Sequence, residues 1–211
     1  MNHADMVAVA VSWLKRSPSR GGPGCHVALS EIKNGFKRSE TPDAIGFRAG
    51  VHDEGSILVE VKTSRADFLA DKHKPFRMCP EKGIGLYRYF MTPPGLLAIE
   101  ELPERWGLIE VAGSKRPMPK VVFRHHLLKL SRPGKSPFRF DSRNTELEVA
   151  LLTRTLMRVG DPEQLNKMLK ETRASANRVF RRNEQLETLL RRHQLNLCRD
   201  EDSVMPHGAT Q

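Results

Sequence analysis

Two carboxylates and one ammonium, Asp43, Glu60 and Lys62, occupy positions that adjacent strands would bring to one point. Asp43 follows Pro42 at the start of an extended run, Pro42-Asp-Ala-Ile-Gly-Phe-Arg-Ala49, and Glu60 and Lys62 lie in a second, Gly55-Ser-Ile-Leu-Val-Glu60-Val-Lys62. Hard divalent cations take oxygen ligands, and carboxylates are common protein donors for them. An ammonium beside such a cation can orient the attacking water or offset charge that builds on a phosphoryl group in the transition state. The set therefore has the chemistry of Mg²⁺- or Mn²⁺-assisted phosphodiester hydrolysis, with Asp43 and Glu60 as ligands and Lys62 assisting the water.

The elements that must position this set follow from local pattern. Gly50-Val-His-Asp-Glu-Gly55 carries turn residues, so the two runs form an antiparallel hairpin. Strand side chains alternate, which puts Glu60 and Lys62 on one face and turns Ile57, Val59 and Val61 toward a core on the other. Ala4 to Lys15 reads as a first helix, broken by Ser17-Pro-Ser-Arg-Gly-Gly-Pro-Gly24. His26 to Ile32 alternates as a strand, with a short helix as the competing reading. Its Glu31 is either a further acidic member of the site or a surface carboxylate.

Beyond Lys62, Ser64 resembles an N-cap with Asp67 three residues on, so Arg65 to about His73 is expected to be helical and to end at Pro75. Asp67, Asp71 and Lys74 share one face of that helix, and Phe68 and Leu69 turn toward the sheet. Asp67 and Asp71 repel at this spacing unless a cation lies between them. Ser64, Arg65 and Asp67 are thus read as supporting residues. Leu86 to Thr92 alternates as a strand with Tyr87 and Tyr89 on one face, available for base stacking or, as tyrosines more often are, part of a core or its rim. Trp106 to Val111 is read as the last strand. The order gives an α/β fold, a mixed sheet flanked by helices.

The Pro-Asp, hairpin, Glu-x-Lys pattern continues into Thr63-Ser-Arg-Ala-Asp67-Phe-Leu-Ala-Asp71-Lys-His-Lys-Pro75-Phe-Arg77, Gly83-Ile-Gly-Leu-Tyr-Arg-Tyr-Phe90 and Leu102-Pro-Glu-Arg-Trp-Gly-Leu-Ile-Glu-Val111. Together these resemble the PD-(D/E)xK nuclease superfamily, in a phage and prophage branch related to MmcB-like DNA repair nucleases, over about the first 130 residues. The resemblance implies a restriction-endonuclease-like sheet, a Mg²⁺ or Mn²⁺ cofactor, and DNA rather than RNA as substrate, cut as an endonuclease. It also implies the Val61 carbonyl as a third metal ligand and an acidic residue ahead of Pro42-Asp43, here Glu31, near the metal. The alternative is a catalytically inactive relative that binds DNA or assembles with partners through the same fold.

Composition agrees with a polyanionic partner. The 211 residues carry a formal net charge of +10, and Gly113 to Phe140 holds Lys115, Arg116, Lys120, Arg124, Lys129, Arg132, Lys135 and Arg139 without one acidic residue. Such a stretch would bind phosphates in a salt-dependent, sequence-blind way; its bland alternative is a solvated face. Three cysteines, far apart, indicate neither a disulfide framework nor a zinc site, and His125-His126 is not a metal pair. No membrane span or signal peptide is legible, so a cytoplasmic location is expected.

The last third changes character. Thr145-Glu-Leu-Glu148 opens a helix to Val159, Gly160 caps it, and Asp161-Pro162 starts another that continues to about Leu197. Leu165, Met168, Thr172, Val179, Leu186, Leu189 and His193 follow a seam near heptad spacing, interrupted at Ser175 and Arg182. The long helix is read as a homodimerisation arm, against a basic arm on DNA or a cover for the first domain. Domain limits are set at 1–140 for the nuclease-like domain, 141–198 for the helical hairpin and 199–211 for a disordered tail.

Overall fold

Asn2 accepts the N–H of Asp5 and the Asp5 carboxylate accepts the N–H of Asn2, a closed capping box that starts α1 (His3–Lys15). One stripe of this helix, Met6, Val7, Ala10, Trp13 and Leu14, is buried, at the 3–4 residue spacing of an amphipathic face. In the computed structural model the described residues are 1–30, 40–50, 55–123 and 136–202. They belong to two units, Met1–Arg154 and Thr155–Gln211.

The first unit is built on one six-stranded sheet whose spatial order is its sequence order: β1 (Val27–Ser30), β2 (Ala44–Arg48), β3 (Gly55–Val61), β4 (Tyr87–Thr92), β5 (Trp106–Ala112) and β6 (Met118–Phe123). β1–β2, β2–β3 and β5–β6 pair antiparallel, whereas β3–β4 and β4–β5 are parallel. Parallel neighbours need a crossover. The one between β3 and β4 contains α2 (Arg65–Asp71) and α3 (Pro75–Met78). This is an α/β fold with a mixed sheet flanked by helices.

Both faces of the sheet are covered. On one, the α1 stripe packs with Ile57, Val59 and Val61 of β3 and Tyr87, Tyr89 and Met91 of β4. The two tyrosines are therefore core residues, not a base-stacking platform. Tyr89 lies opposite Gly107 of β5, where any Cβ would collide with its ring. On the other face Phe68 of α2, Phe90, Trp106 and Phe140 join Leu147 and Leu151 of α4 (Thr145–Val159). Phe90 stacks on Trp106 at 4.4 Å between ring centroids and meets Phe68 edge-on at 5.2 Å.

Several expectations change in detail. β5 is not the last strand, because Met118–Phe123 adds β6 along the sheet edge; Pro119 is tolerated there since an edge strand need not donate every N–H. α2 ends at Asp71, short of the expected His73, and Pro75 instead opens α3, where a residue without an N–H is at no disadvantage. Of the pair expected to face the sheet, Phe68 is buried but Leu69 is exposed. The cap of α4 is Asn144, whose Oδ1 accepts the Leu147 N–H at 2.9 Å. Glu148 turns inward instead of completing a capping box. Its Oε1 accepts Ser56 Oγ at 2.6 Å and the Gly85 N–H at 2.8 Å, tying α4 to the starts of β3 and β4. The first ten residues of α4 thus belong to the first unit, which closes at Arg154 rather than at residue 140.

The second unit contains the end of α4 and α5 (Pro162–Asp202), 41 residues long. Asp161 caps α5 by accepting the N–H of Glu163 at 2.9 Å, and Gly160 takes the left-handed conformation, φ 82°, that separates the helices. α5 runs beyond the expected end near Leu197. No described helix is long and apolar enough to cross a membrane.

Glu148→Ala should lower the unfolding free energy by about 1–3 kcal/mol, because it leaves the buried Gly85 N–H unpaired, and Glu148→Gln by less, because an acceptor oxygen remains. Urea midpoints compare the three proteins; an alanine variant as stable as its parent would mean that this network does not hold α4.

Candidate functional site

Asp43 stands one residue before β2, and the antiparallel register that pairs Ala44 with Val59 carries it to the C-terminal end of β3. There Asp43 Oδ2 accepts the N–H of Val61 at 2.8 Å, and Oδ1 lies 3.4 Å from Nε2 of His3 in the first turn of α1. Glu60 and Lys62 project from the opposite face to Val59 and Val61, and the Lys62 N–H is held by the Met91 carbonyl at 2.9 Å. The alternation expected for β3 holds, but both charged side chains are enclosed, each 3% exposed, because α2 and α3 cover that face.

Enclosure forces pairing. The Lys62 ammonium lies 3.1 Å from Asp71 Oδ1, 3.5 Å from Asp67 Oδ1 and 3.9 Å from Glu60 Oε2. It is the cation that relieves the Asp67–Asp71 repulsion on α2. A second cation, Arg77 of α3, completes the group: Nη1 reaches Glu40 Oε1 and Nε reaches Asp71 Oδ2, each at 2.5 Å, and Nη2 lies 3.2 Å from Glu60 Oε2. Its guanidinium also lies over the Trp106 ring at 4.4 Å, a contact that suits a planar, weakly hydrated cation. Glu40 is fixed from its other oxygen by the Ile84 N–H at 2.8 Å, and Lys74 reaches Asp71 from the surface at 2.6 Å.

Burial pushes the Glu60 carboxyl up to about 8; Arg77 works against this, while Asp43, Glu40 and Asp71 add to it. Burial acts the same way on Asp71, but Arg77, Lys74 and Lys62 outweigh it and hold its carboxyl below the usual range. Arg77 is held still more firmly in its charged form by Glu60, Glu40 and Asp71 against its own burial. Glu60 Oε1 is buried with no hydrogen-bond partner. Two carboxylate oxygens, the buried orphaned Glu60 Oε1 and the partly exposed Asp43 Oδ1, are hard donors of the kind a Mg²⁺ or Mn²⁺ ion takes. Among the described residues no three His, Cys, Asp or Glu side chains cluster as a metal site, so these two carboxylates would need a further donor from the main chain or elsewhere.

The supporting residues separate. Ser64 caps α2 by accepting the Asp67 N–H at 3.2 Å, and Asp67 faces Lys62. Arg65 instead forms a two-pronged pair with Glu101 and donates to the Leu96 carbonyl at 3.3 Å, fastening α2 to the loop after β4. Glu31, Arg124, Lys129, Arg132 and Lys135 lie outside the described residues, as do His125 and His126. Lys115, Arg116 and Lys120 are exposed around the β5–β6 turn, and Arg139 is paired with Asp141 at 3.0 Å. Three members of the site were not anticipated. Arg77 and Glu40 gave only the weak signal of charges flanking the strand motifs, and His3 gave none. Cys25 is buried, with its thiol pushed up to about 12 mainly by that burial, which makes it unreactive.

No family model matches the chain, and no curated protein matches it. Among solved structures, a protein of unknown function from Silicibacter pomeroyi is similar over 65% of this chain and 81% of that one, at 17% identity and a TM-score of 0.39. A likeness this loose carries no argument about function.

Two outcomes follow from the buried charges. Arg77→Ala strands Glu40, Glu60 and Asp71 and should cost about 3–5 kcal/mol in denaturant unfolding, whereas Arg65→Ala, at a solvent-exposed pair, should leave the unfolding midpoint almost unchanged; comparable losses would contradict the assignment of Arg77 as the central cation. For Glu60, a carboxyl raised from 4.5 to about 8 binds a proton in the folded chain that the unfolded chain has lost. Its contribution to stability is complete below pH 4.5 and is lost as pH rises to about 8, with a slope of at most about 1.4 kcal/mol per pH unit. Stability of the parent should therefore fall relative to Glu60→Gln across that window, and parallel profiles would show that Glu60 is not raised.

Proposed function

We propose that the protein is a metal-dependent nuclease of the PD-(D/E)xK kind, with a restriction-endonuclease-like core, that hydrolyses internal phosphodiester bonds in DNA. The observation that carries this reading is the meeting of Asp43 with Glu60, Val61 and Lys62 at one end of β3, with Glu60 Oε1 buried and unpartnered. The sheet order and its mix of parallel and antiparallel pairs support the same reading.

Asp43 Oδ1, Glu60 Oε1 and the Val61 carbonyl would hold Mg²⁺ or Mn²⁺. When bound, the ion supplies a polarised phosphate and a water of lowered pKa. The protein's own part is positional. The Val61 N–H fixes the Asp43 carboxylate, and Asp67 and Asp71 keep the Lys62 ammonium beside Glu60, where it can hold the attacking water and offset phosphoryl charge. His3 stands next to Asp43 as a second donor toward the same region. Lys115, Arg116 and Lys120 offer phosphate contacts from the β5–β6 turn.

One observation favours the alternative, a catalytically inactive DNA-binding or assembly protein. Arg77 already places a positive charge 3.2 Å from Glu60 Oε2, so the pocket carries a built-in cation.

Cleavage of supercoiled plasmid, linear duplex and single-stranded DNA, and of RNA, in Mg²⁺ or Mn²⁺ separates the two. Lys62→Ala would strand Glu60 and Asp71, so the informative variants are Asp43→Asn, which keeps an oxygen for the Val61 N–H, and Lys62→Gln, each checked for a parental circular dichroism spectrum. Metal-dependent cutting of DNA that falls by about a hundredfold or more in both variants is expected. DNA binding without cutting by the parent in either metal would establish the alternative, and cutting of RNA alone would reassign the substrate.

A further inference from the structure

α5 carries apolar side chains that its own unit leaves in the open: Leu169, Val179, Leu186 and Leu190 are 46%, 59%, 46% and 63% exposed. Their spacing becomes regular when the heptad is phased with Leu169, Ala176, Asn183 and Leu190 at a, and Leu165, Thr172, Val179 and Leu186 at d. In this phase Ser175 and Arg182, which interrupt the seam read through Met168 and Leu189, move to flanking g positions. An alternating 3–4 repeat through about four heptads, apolar except at Thr172 and Asn183, is the pattern of a coiled coil.

Three residues, Asn183, Arg182 and Glu187, select the partner. Asn183 is the one amide on the seam, at an a position, where a polar residue fixes register and favours two strands. In a parallel pair an a residue meets its own counterpart, so the two Asn183 amides can hydrogen-bond to each other. In the same arrangement each g side chain lies beside the partner's e side chain of the following heptad. That sets Arg182 against the partner's Glu187, twice by symmetry. An antiparallel pair would set g against g and forfeit both features. Lys170, Arg178, Arg181 and Arg191 fall at b, c and f, on the outer surface, where their charge does not oppose pairing.

We propose that α5 pairs with α5 of a second copy of this chain as a parallel two-stranded coiled coil, registered by Asn183 and by Arg182 against the partner's Glu187. The pairing stands independently of the nuclease reading, and its test does not use activity.

Sedimentation equilibrium of the full chain at tens of micromolar should give a dimer, and Leu186→Ala, which removes a leucine from both strands of one layer, should weaken it by about a hundredfold or more. In a Cys198→Ser background, Asn183→Cys should cross-link to a covalent dimer under mild oxidation, whereas Arg181→Cys, on the outer face, should not. A monomer, a trimer or tetramer, or a dimer in which Asn183→Cys fails to cross-link or does so no better than Arg181→Cys would each overturn the proposal.

Discussion

A guanidinium and an ammonium enclosed with three carboxylates set the terms for the rest of the first unit. Arg77 and Lys62 are each about as buried as the hydrophobic core around them, and so are Glu40, Glu60 and Asp71. Isolated, any one of these charges would be expelled or neutralised. Together they persist only while β3, α2, α3 and the segment before β2 are held in register, since each supplies one or two of the charges. Attraction between the ions offsets desolvation but seldom exceeds it. The cluster is therefore a weak source of stability and a strict condition on geometry. A chain that gained only stability from this region would more simply have filled it with leucine.

The two-sided covering of the sheet explains how that condition is met. Parallel pairing of β3 with β4 demands a crossover, and the crossover is the α2–α3 segment that brings Asp71 and Arg77 over Glu60. The stacked Phe90 and Trp106 rings lie beneath Arg77, at 5.9 and 4.4 Å from its guanidinium. Apolar packing and charge pairing here are one interaction: the rings place the cation, and the cation orders the carboxylates.

What was legible in the sequence was what depends on neighbours along the chain. The 3.6-residue stripe of α1, the alternation of β3, the Ser64 cap and the hairpin register are local, and they were enough to bring Asp43 to the end of β3. The Asp67–Asp71 repulsion even implied a missing cation. Its identity as Lys62, and the roles of Arg77, Glu40 and His3, depend on pairings between distant segments: Arg77 meets Glu40 across 37 residues. No periodicity encodes such a pair. β6 was hidden for a different reason. Its exposed edge face carries Lys120 between Met118 and Val122, and its buried face starts with Pro119, so neither face shows the usual strand composition. Glu148 was misread because a capping-box spacing and an inward-facing carboxylate look the same in sequence.

The same distribution of burial constrains how any ligand could reach the cluster. Glu60, Lys62 and Arg77 are at most 3% exposed, whereas Asp43, His3, Asp67 and Lys74 are 21%, 43%, 45% and 43% exposed. Among the described residues, contact with solvent is thus made at the Asp43–His3 edge between α1 and the sheet and at the Asp67–Lys74 face of the α2–α3 segment. A phosphate approaching by the first meets one carboxylate and one imidazole. By the second it meets the exposed Lys74 ammonium, but also Asp67. A carboxylate therefore stands at both approaches, and neutralising it, by a proton or by a divalent cation, would ease the approach of a polyanion. Under the nuclease reading, Asp43 is the partly exposed carboxylate that a divalent cation would neutralise, and His3 beside it is the group nearest that edge.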